Sequence, residues 1–492
     1  MDPLGSDPVD VDPVRAAVRR APHSPALLES PLSGAGRRWT YTELDLAVDA
    51  VAAELARHGV TEGSALVLRL PACPEAVAVC HAAWRVGARL VPFHPDWTPS
   101  EVEAARRAVG KVALEIVDGS EVAQWMAEGD SRHRPMRGQG VWLVNRQSAI
   151  YDKAEKPPRD ADPAAAPLLG PSPDDIAALV LTSGSTGAPR SVGLTHANFR
   201  ASAEAVAERL DLRESDAWLT SLSLAHVGGL ALVHRAAVVG CRLVTSPRFR
   251  ADEVARLIDD GAITHLSAVP VTLARLIEAR GDRPAPSSVR CVLVGGAAAP
   301  PALVDRAVAL AYPVALTYGL TEATSQVTTA PPDRVRAKPG AVGRPLRGVE
   351  VRIGDGGEIL VRGATVATEG WLATGDLGHL DSEGDLWVTG RLSDRIVTGG
   401  VTVEPGEVEV ALLRHASVAD VAVIGEPDET WGERIVAVVV PRDPSRPPSL
   451  DDLVELARES LGPAKWPRRI RLVDALPRNA NGKVDRARLK AP

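Results

Sequence analysis

Apolar and polar positions follow a regular order between residues 241 and 316. Short apolar runs predict four strands in this part: CRLVT (241–245), ITHLSA (263–268), VRCVLV (289–294) and YPVAL (312–316). Apolar residues with helical spacing predict three helices between these strands, at about 251–259, 270–279 and 299–310. Such alternation of strands and helices indicates right-handed crossovers and therefore a parallel sheet.

Two turns with polar or small residues follow the last two of these strands. The first reads Gly295-Gly296-Ala297-Ala298, and the second reads Thr317-Tyr318-Gly319-Leu320-Thr321-Glu322. Open α/β sheets bind ligands at the carboxyl ends of parallel strands, and glycine lets the backbone approach a flat or anionic ligand. Tight strand-to-helix turns would explain the glycines equally well, but they explain Glu322 and Tyr318 less well.

The pattern changes after residue 341. Short alternating runs with turn signals predict hairpins up to residue 390, and a smaller unit follows Arg391. In that unit the pattern predicts strands at 418–425, 434–440 and 468–473 and a helix at about 450–461. We therefore expect an α/β protein with a large N-terminal domain (1–391), built of parallel βαβ sheets and a β-rich subdomain. A small α+β C-terminal domain (392–492) would complete it.

Composition excludes several classes of protein. The 492 residues carry a net charge of −7 with a pI near 5.9, which argues against a general nucleic-acid binder. No stretch approaches the roughly 18 uninterrupted apolar residues of a membrane helix, and the N-terminus lacks the apolar core of a secretory signal. Four cysteines without metal-ligand spacing fit a reducing compartment. We expect a cytoplasmic protein, with a homo-oligomer left open.

The stretch TSGSTGAPRS (182–191) is rich in the residue types that wrap phosphates. An apolar run, IAALVL (176–181), precedes it and predicts a strand. The stretch lacks the lysine of a P-loop, and Pro189 would block a helix directly after Gly187. Hydroxyls and backbone N–H groups can still hold a polyphosphate. Taken alone, the stretch fits a flexible surface linker about as well.

Five motifs in order decide between these interpretations: TSGSTGAPRSVGLTH, TYGLTEA, GWLATGDLG, GRLSDRIVTGG and LPRNANGKVDR. From Trp39 onward the chain resembles the adenylate-forming superfamily, which includes acyl- and aryl-CoA synthetases, peptide-synthetase adenylation domains and luciferases. Within it, HVGGL (226–230) and YGLTEATSQ (318–326) are most similar to the o-succinylbenzoate–CoA ligases of menaquinone biosynthesis. The resemblance implies ATP, Mg²⁺, CoA and a small carboxylate as ligands, and transfer of the acyl group to CoA through an acyl adenylate.

The resemblance also implies roles for single residues around the nucleotide. Lys483 would be the adenylation lysine, Glu322 would hold Mg²⁺, and Thr321 would contact the α-phosphate. The remaining nucleotide residues would be Thr182, Ser183, Gly184, Ser185, Thr186, Gly187, Arg190, Gly295, Gly296, Ala297, Thr317, Tyr318, Gly319, Asp376 and Arg391. Arg190 and Ser191 stand where the superfamily usually has lysine and glycine, so the positive charge is kept and we expect altered mobility of the loop. Asp376 would accept hydrogen bonds from both ribose hydroxyls, although shaping a hairpin turn is an alternative.

Further residues would serve the acyl group and the thiol. His226 matches the histidine at the junction of substrate and thiol, and Arg235, a charge in the apolar run LALVHRAAVV, should face an anion or solvent. We expect Arg235 to bind the second carboxylate of a dicarboxylic acid. Other residues would add polar contacts (Ser325, Gln326), form the hinge of a mobile C-terminal domain (Ser393, Asp394) or line the pantetheine tunnel (Gly399, Gly400).

The last 31 residues, 462–492, combine nine basic residues with two acidic ones, Asp474 and Asp485. The basic residues are Lys465, Arg468, Arg469, Arg471, Arg478, Lys483, Arg486, Arg488 and Lys490. A solvated basic face would explain them, and so would contacts with the phosphates of CoA.

Three alternative functions stay open at this point. They are another aryl- or acyl-CoA ligase, an adenylation domain that serves a carrier protein, and a catalytically silent adenylate-binding protein. Arg235 counts against amino-acid activation, which usually needs an aspartate in that segment for the ammonium group. The presence of Lys483, Glu322 and Asp376 together counts against a silent protein.

Overall fold

A computed structural model describes residues 12–31, 36–128, 171–183, 189–478 and 484–490. These residues form twenty-three strands: β1 (Pro25–Glu29), β2 (Arg38–Thr40), β3 (Ala65–Leu68), β4 (Arg89–Pro92), β5 (Leu114–Ile116), β6 (Ile176–Ser183), β7 (Pro189–Thr195), β8 (Ala217–Thr220), β9 (Arg242–Thr245), β10 (His265–Ala268), β11 (Cys291–Val294), β12 (Val314–Tyr318), β13 (Thr328–Ala330), β14 (Arg344–Pro345), β15 (Val349–Ile353), β16 (Glu358–Gly363), β17 (Leu372–Leu380), β18 (Leu386–Arg391), β19 (Ile396–Thr398), β20 (Val401–Val403), β21 (Val418–Asp428), β22 (Gly432–Pro441) and β23 (Arg469–Leu472).

The same residues form fourteen α-helices: α1 (Pro13–Arg20), α2 (Tyr41–Arg57), α3 (Pro74–Arg85), α4 (Pro99–Val109), α5 (Gly119–Glu128), α6 (His196–Arg209), α7 (Val227–Val239), α8 (Ala251–Asp259), α9 (Pro270–Arg280), α10 (Pro301–Ala309), α11 (Pro332–Ala337), α12 (Pro405–Leu412), α13 (Leu450–Arg458) and α14 (Arg486–Lys490). Within this described part of the chain, no helix is long and apolar enough to cross a membrane.

A nine-stranded sheet carries the edge at which the candidate site lies. Its order is β14-β13-β12-β11-β10-β8-β9-β1-β2, and the pairs from β12 to β1 are parallel. The central strands are buried on both faces, as the continuous apolar runs of a parallel sheet require. The carboxyl ends of β8, β10, β11 and β12 therefore meet at one edge.

Three further sheets complete the described structure. A five-stranded sheet has the order β5-β3-β4-β6-β7, with β6 and β7 forming an antiparallel hairpin. The sheet β15-β16-β17-β18 is antiparallel throughout. The last sheet joins β20, β19, β22 and β21, and β23 pairs with β22. Strands β19 to β23 and helices α12 and α13 enclose a core of their own, which includes Ile396, Val423 and Leu453.

These elements confirm the predicted α/β architecture. Helix α8 spans residues 251–259 as expected, and β9, β10, β11 and β12 lie within two residues of the predicted strands. Prolines at the first turns of α9 and α10 fix where these helices begin, because proline fits a position whose N–H needs no partner. Helix α7 ends at Gly240, whose φ of 85° is the left-handed conformation that glycine adopts most easily. The division into domains at residue 391 stays a prediction.

Candidate functional site

The loops that follow β11 and β12 form the edge of the candidate site. Gly296 and Ala297 are exposed after β11, and the backbone of Gly296 has a φ of 77°. After β12, a short 3-10 helix (Thr321–Ala323) carries the half-buried side chains of Thr321 and Glu322. The two loops predicted to contact the nucleotide thus lie after neighbouring parallel strands.

Close backbone contact explains the glycines of this edge. A Cβ atom at Gly319 would lie 1.6 Å from the carbonyl oxygen of Ser325, and one at Gly295 would lie 2.6 Å from Thr317 Cγ2. Real Cβ atoms do not approach so closely, so any side chain at Gly319 would displace the segment that carries Ser325. Thr324 and Ser325 have positive φ angles of 50° and 92°, which non-glycine residues adopt rarely.

Tyr318, Asp376 and Arg391 form one group, held by a hydrogen bond and an ion pair, that joins two sheets. The Tyr318 hydroxyl donates to Asp376 Oδ2 over 2.8 Å, and Arg391 Nε lies 2.9 Å from Asp376 Oδ1. Burial and the neighbouring carboxylate raise the pKa of Tyr318, which therefore stays a neutral donor. Asp376 and Arg391 face each other across the β17–β18 pair.

In this arrangement the Asp376 carboxylate can still accept hydrogen bonds from a ligand. Each carboxylate oxygen can accept two hydrogen bonds, and the described contacts place the Tyr318 hydroxyl on one oxygen and the Arg391 guanidinium next to the other. The residue lies inside β17, so its side chain does not shape a hairpin turn, the alternative considered from the sequence. Tyr318 and Arg391 fix the orientation of a carboxylate that can receive two neighbouring hydroxyls.

The described ends of the stretch 182–191 belong to β6 and β7, which pair as antiparallel strands. Thr182 pairs with Arg190 across the hairpin, and its hydroxyl donates to the Arg190 carbonyl oxygen over 3.3 Å. A strand and not a helix begins at Pro189, which excludes a P-loop arrangement. Arg190 is exposed. Ser183 ends β6, whereas four of the predicted phosphate residues (Gly184, Ser185, Thr186, Gly187) and the predicted adenylation lysine (Lys483) lie outside the described residues.

Two histidines lie next to each other, one shortly after β4 and one directly before α7. His226 is the residue before α7, and its ring centroid lies 6.0 Å from that of His94. His94 Nδ1 accepts the backbone N–H of Asp96, and burial lowers the His94 pKa, so its neutral form carries the proton on Nε2. His94 was not predicted. Its position just after a parallel strand was the signal that could have identified it.

Arg235 lies on α7 and faces neither solvent nor a carboxylate among the described residues. Its side chain is 2% exposed, and its Nε and Nη2 atoms have no hydrogen-bond partner in this part of the chain. The guanidinium carbon lies 5.3 Å from the ring centroid of Trp218. Burial lowers the pKa of Arg235 to about 10, so the side chain is still charged at neutral pH. A buried charge without a counter-ion marks a place where an anion would bind favourably.

Gln326 offers a second buried donor. Its Oε1 accepts a hydrogen bond of 2.7 Å from the Thr329 hydroxyl, while its Nε2 has no partner among the residues described. The Thr317 hydroxyl donates to the Thr328 carbonyl oxygen over 2.7 Å, so a contact of Thr317 with the nucleotide stays a prediction. The predicted contacts of Ser325 and Gln326 with the acyl group also stay predictions.

The predicted hinge lies between β18 and β19. Ser393 and Asp394 belong to a short 3-10 helix (Leu392–Asp394), and Arg486 of α14 lies 3.3 Å from Asp394 Oδ2. Gly399 and Gly400 form the turn between β19 and β20, with φ angles of 56° and 76°. Both φ angles favour glycine, so the turn alone explains why glycine occupies these two positions, without any contact to a ligand.

The structure gives ion-pair partners to many residues of the basic tail. Most of its charges have carboxylate partners: Lys465 with Glu407, Arg469 and Arg471 with Glu426, Arg478 with Asp420, Arg486 with Glu409, and Arg488 with Asp485. Arg468 instead stacks on Trp431, with 3.9 Å between its guanidinium carbon and the ring centroid. These acids, except Asp485, come from earlier elements of the fold, so the sequence of the tail alone overestimates its free charge.

Comparison with known proteins agrees with this geometry. Residues 14–371 match the family model described as AMP-binding enzyme, and residues 407–483 match the model of the AMP-binding enzyme C-terminal domain. The chain is 33% identical over 480 residues to 2-succinylbenzoate–CoA ligase of Bacillus pumilus. The matched region covers 92% of this chain and 93% of that protein.

Two solved structures of o-succinylbenzoate CoA synthetase from Bacillus subtilis share the fold. The complex with its acyl-adenylate intermediate has a TM-score of 0.81 at 29% identity, and 99% of both chains is covered. The complex with ATP and a magnesium ion has a TM-score of 0.80 at 29% identity and covers 98% of this chain and 99% of the other.

Proposed function

Because the chain belongs to the AMP-binding enzyme family, we propose that it converts 2-succinylbenzoate, ATP and CoA into 2-succinylbenzoyl-CoA, AMP and pyrophosphate. This acid–thiol ligation is a step of menaquinone biosynthesis. Among the described residues, the observation that carries the proposal is the combination of two features in one fold. These are the Tyr318–Asp376–Arg391 group beside the loops after β11 and β12, and the buried guanidinium of Arg235, whose Nε and Nη2 have no hydrogen-bond partner there.

In the first step a carboxylate oxygen of the acid attacks the α-phosphorus of ATP, and the bond to pyrophosphate breaks. Both reactants are anionic, so catalysis consists mainly of positioning and charge neutralisation. Asp376, oriented by Tyr318 and Arg391, would hold the ribose, while Gly296 and Ala297 would contact adenine. Lys483 would supply the cation near the attacking oxygen.

A magnesium ion would accompany the nucleotide. Its preferred ligands are hard oxygens, usually one or two carboxylates together with phosphates, and Glu322 offers such a group at the carboxyl edge. When bound, the ion lowers the negative charge on the phosphate oxygens. Glu322 would hold it next to Thr321, whose hydroxyl would contact the α-phosphate, and residues of the loop 182–187 together with Arg190 would contact the outer phosphates.

In the second step the sulfur of CoA attacks the acyl carbon, loses its proton and displaces AMP. This step needs a path to the acyl carbon that the adenylation lysine does not block. A C-terminal domain from residue 392, rotating about Ser393 and Asp394, would open that path along Gly399 and Gly400, because short polar segments absorb large backbone changes. His226 would lie at the junction of acyl group and thiol.

Arg235 supports a dicarboxylic substrate. Its charge is buried against Trp218 without a carboxylate of the described chain within ion-pair distance, so the carboxylate that is not activated would complete the pair. In 2-succinylbenzoate the succinyl carboxylate would react and the aromatic carboxylate would bind Arg235. We also place the reaction in the cytoplasm, where ATP and CoA are available and the four unpaired cysteines would stay reduced.

The test is pyrophosphate release by the purified protein with MgATP, CoA and a panel of carboxylates. We expect release that depends on 2-succinylbenzoate, and loss of that release in Asp376→Ala and Lys483→Ala. Turnover of a different acid alone would replace the substrate but keep the reaction. Release that depends on a carrier protein instead of CoA would favour the carrier-loading alternative. ATP binding without turnover of any acid would favour the silent protein.

A further inference from the structure

We propose that Trp218 is a positioning residue for substrate selection, which holds the Arg235 guanidinium toward the second carboxylate of the acid. The proposal rests on the proposed function, because it concerns the same substrate. It assigns a role to a residue that the sequence does not single out. Trp218 lies on β8, which is the direct neighbour of β10 in the nine-stranded sheet, and Arg235 lies on α7.

Contacts on two sides fix the indole of Trp218. Its Nε1–H donates to the Ser267 hydroxyl oxygen over 3.1 Å, and its ring centroid lies 5.2 Å from that of His265. Trp218 is 1% exposed and His265 is fully buried. A ring held by a hydrogen bond and by packing cannot turn away, so its face stays available to the cation on α7.

The Arg235 guanidinium has no ion-pair partner among the described residues. No carboxylate there lies within ion-pair distance, and Nε and Nη2 lack hydrogen-bond partners, while the guanidinium carbon lies 5.3 Å from the centroid of the Trp218 ring. In proteins, fully buried charged side chains are normally paired with an opposite charge. An acidic partner would fix Arg235 more strongly, but it would also neutralise the charge that the substrate needs.

A purely structural role of Trp218 makes a different prediction. Tryptophan in a core contributes mainly buried apolar area, and its loss would weaken the fold and impair all substrates alike. A role in selection instead requires that loss of the ring affects acids with two carboxylates far more than acids with one. The matched pair of acids is 2-succinylbenzoate and 4-oxo-4-phenylbutanoate, which lacks the aromatic carboxylate.

The experiment measures KM for both acids, and their binding by calorimetric titration, in the wild type, Trp218→Leu and Trp218→Phe. A desolvated cation–π contact is strong enough that Trp218→Leu should raise KM for 2-succinylbenzoate about tenfold to thirtyfold. The value for 4-oxo-4-phenylbutanoate should change less than about threefold. Trp218→Phe keeps a ring face but loses the bond to Ser267, so its effect should be intermediate. Trp218→Phe should have no further selective effect when Arg235 is already alanine.

Trp84→Leu is the matched control. Trp84 is also buried, donates its Nε1–H to the Ala177 carbonyl oxygen over 3.2 Å, and contacts His234 next to Arg235 in the chain. We expect this variant to shift both acids equally. Equal shifts in the Trp218 variants, or a selective effect of Trp218→Phe that survives in Arg235→Ala, would overturn the proposal. Turnover of the wild type with 2-succinylbenzoate tests the proposed function separately.

Discussion

Replacing Arg235 with methionine should stabilise the folded protein and remove the preference for a second carboxylate that we propose. Burial lowers the pKa of this side chain from its ordinary value to about 10, and both folded and unfolded forms are protonated below that pH. One pKa unit corresponds to about 1.4 kcal/mol, so at neutral pH the buried charge costs about 3 kcal/mol. The contact with Trp218 offsets on the order of 1 to 2 kcal/mol. The expected net gain on substitution is about 1 to 2 kcal/mol.

The same substitution, although stabilising, should impair catalysis. Removing one partner of a buried charge pair typically costs at least about 2 kcal/mol, so kcat/KM for 2-succinylbenzoate should fall at least about thirtyfold. For 4-oxo-4-phenylbutanoate it should change less than about threefold, because this acid brings no carboxylate to Arg235. Thermal unfolding gives the stability, and pyrophosphate release gives the two kinetic values.

Arg280→Met is the matched control for this prediction. Arg280 is 3% exposed, but it pairs with Asp259 and donates from Nη2 to the Pro284 carbonyl oxygen over 2.9 Å. Its loss should destabilise the protein by about 1 to 3 kcal/mol and leave substrate preference unchanged. A fall in melting temperature in Arg235→Met like that of Arg280→Met, with equal losses for both acids, would refute the reasoning and make Arg235 a structural residue.

The remaining predictions concern the nucleotide, acid stability and one glycine. Tyr318→Phe removes a hydrogen bond to the charged Asp376, so KM for ATP should rise about tenfold in pyrophosphate exchange, and an unchanged KM would contradict this role. Burial lowers the pKa of His81 to about 4, so the unfolded chain takes up its proton first and stability falls as pH drops from 6.5 toward 4. In denaturant titrations of His81→Leu, the free energy of unfolding should fall less steeply with decreasing pH, by about 1.4 kcal/mol per pH unit. An unchanged pH dependence would contradict this role of His81. Gly319→Ala should reduce folded yield, because its Cβ would overlap the Ser325 carbonyl, and a normal melting curve would show that the turn can move.

Sequence patterns predicted the elements that depend on local chemistry. The parallel strands were recognisable because strands buried on both faces are short continuous apolar runs, as in Cys291–Val294. The helix at 251–259 was recognisable from its strong apolar periodicity. Resemblance of ordered motifs then placed Tyr318, Asp376 and Arg391 in one site, and the structure brings these three residues together.

Contacts between distant segments could not be predicted in the same way. The stacking of Arg235 on Trp218 depends on how α7 lies over the nine-stranded sheet, and neither residue carries a signal of it in the sequence. The ion pairs of the basic tail could not be predicted for the same reason, since Glu426 and Glu407 reach it only in the folded chain. Local charge counts do not include partners that the fold supplies.

The most direct test of the central claim is mass spectrometry of the products formed by the purified protein from 2-succinylbenzoate, MgATP and CoA. We predict 2-succinylbenzoyl-CoA and AMP in equal amounts, with no thioester in Asp376→Ala. Absence of this thioester, under conditions in which the protein converts another carboxylate to its CoA ester, would contradict the claim.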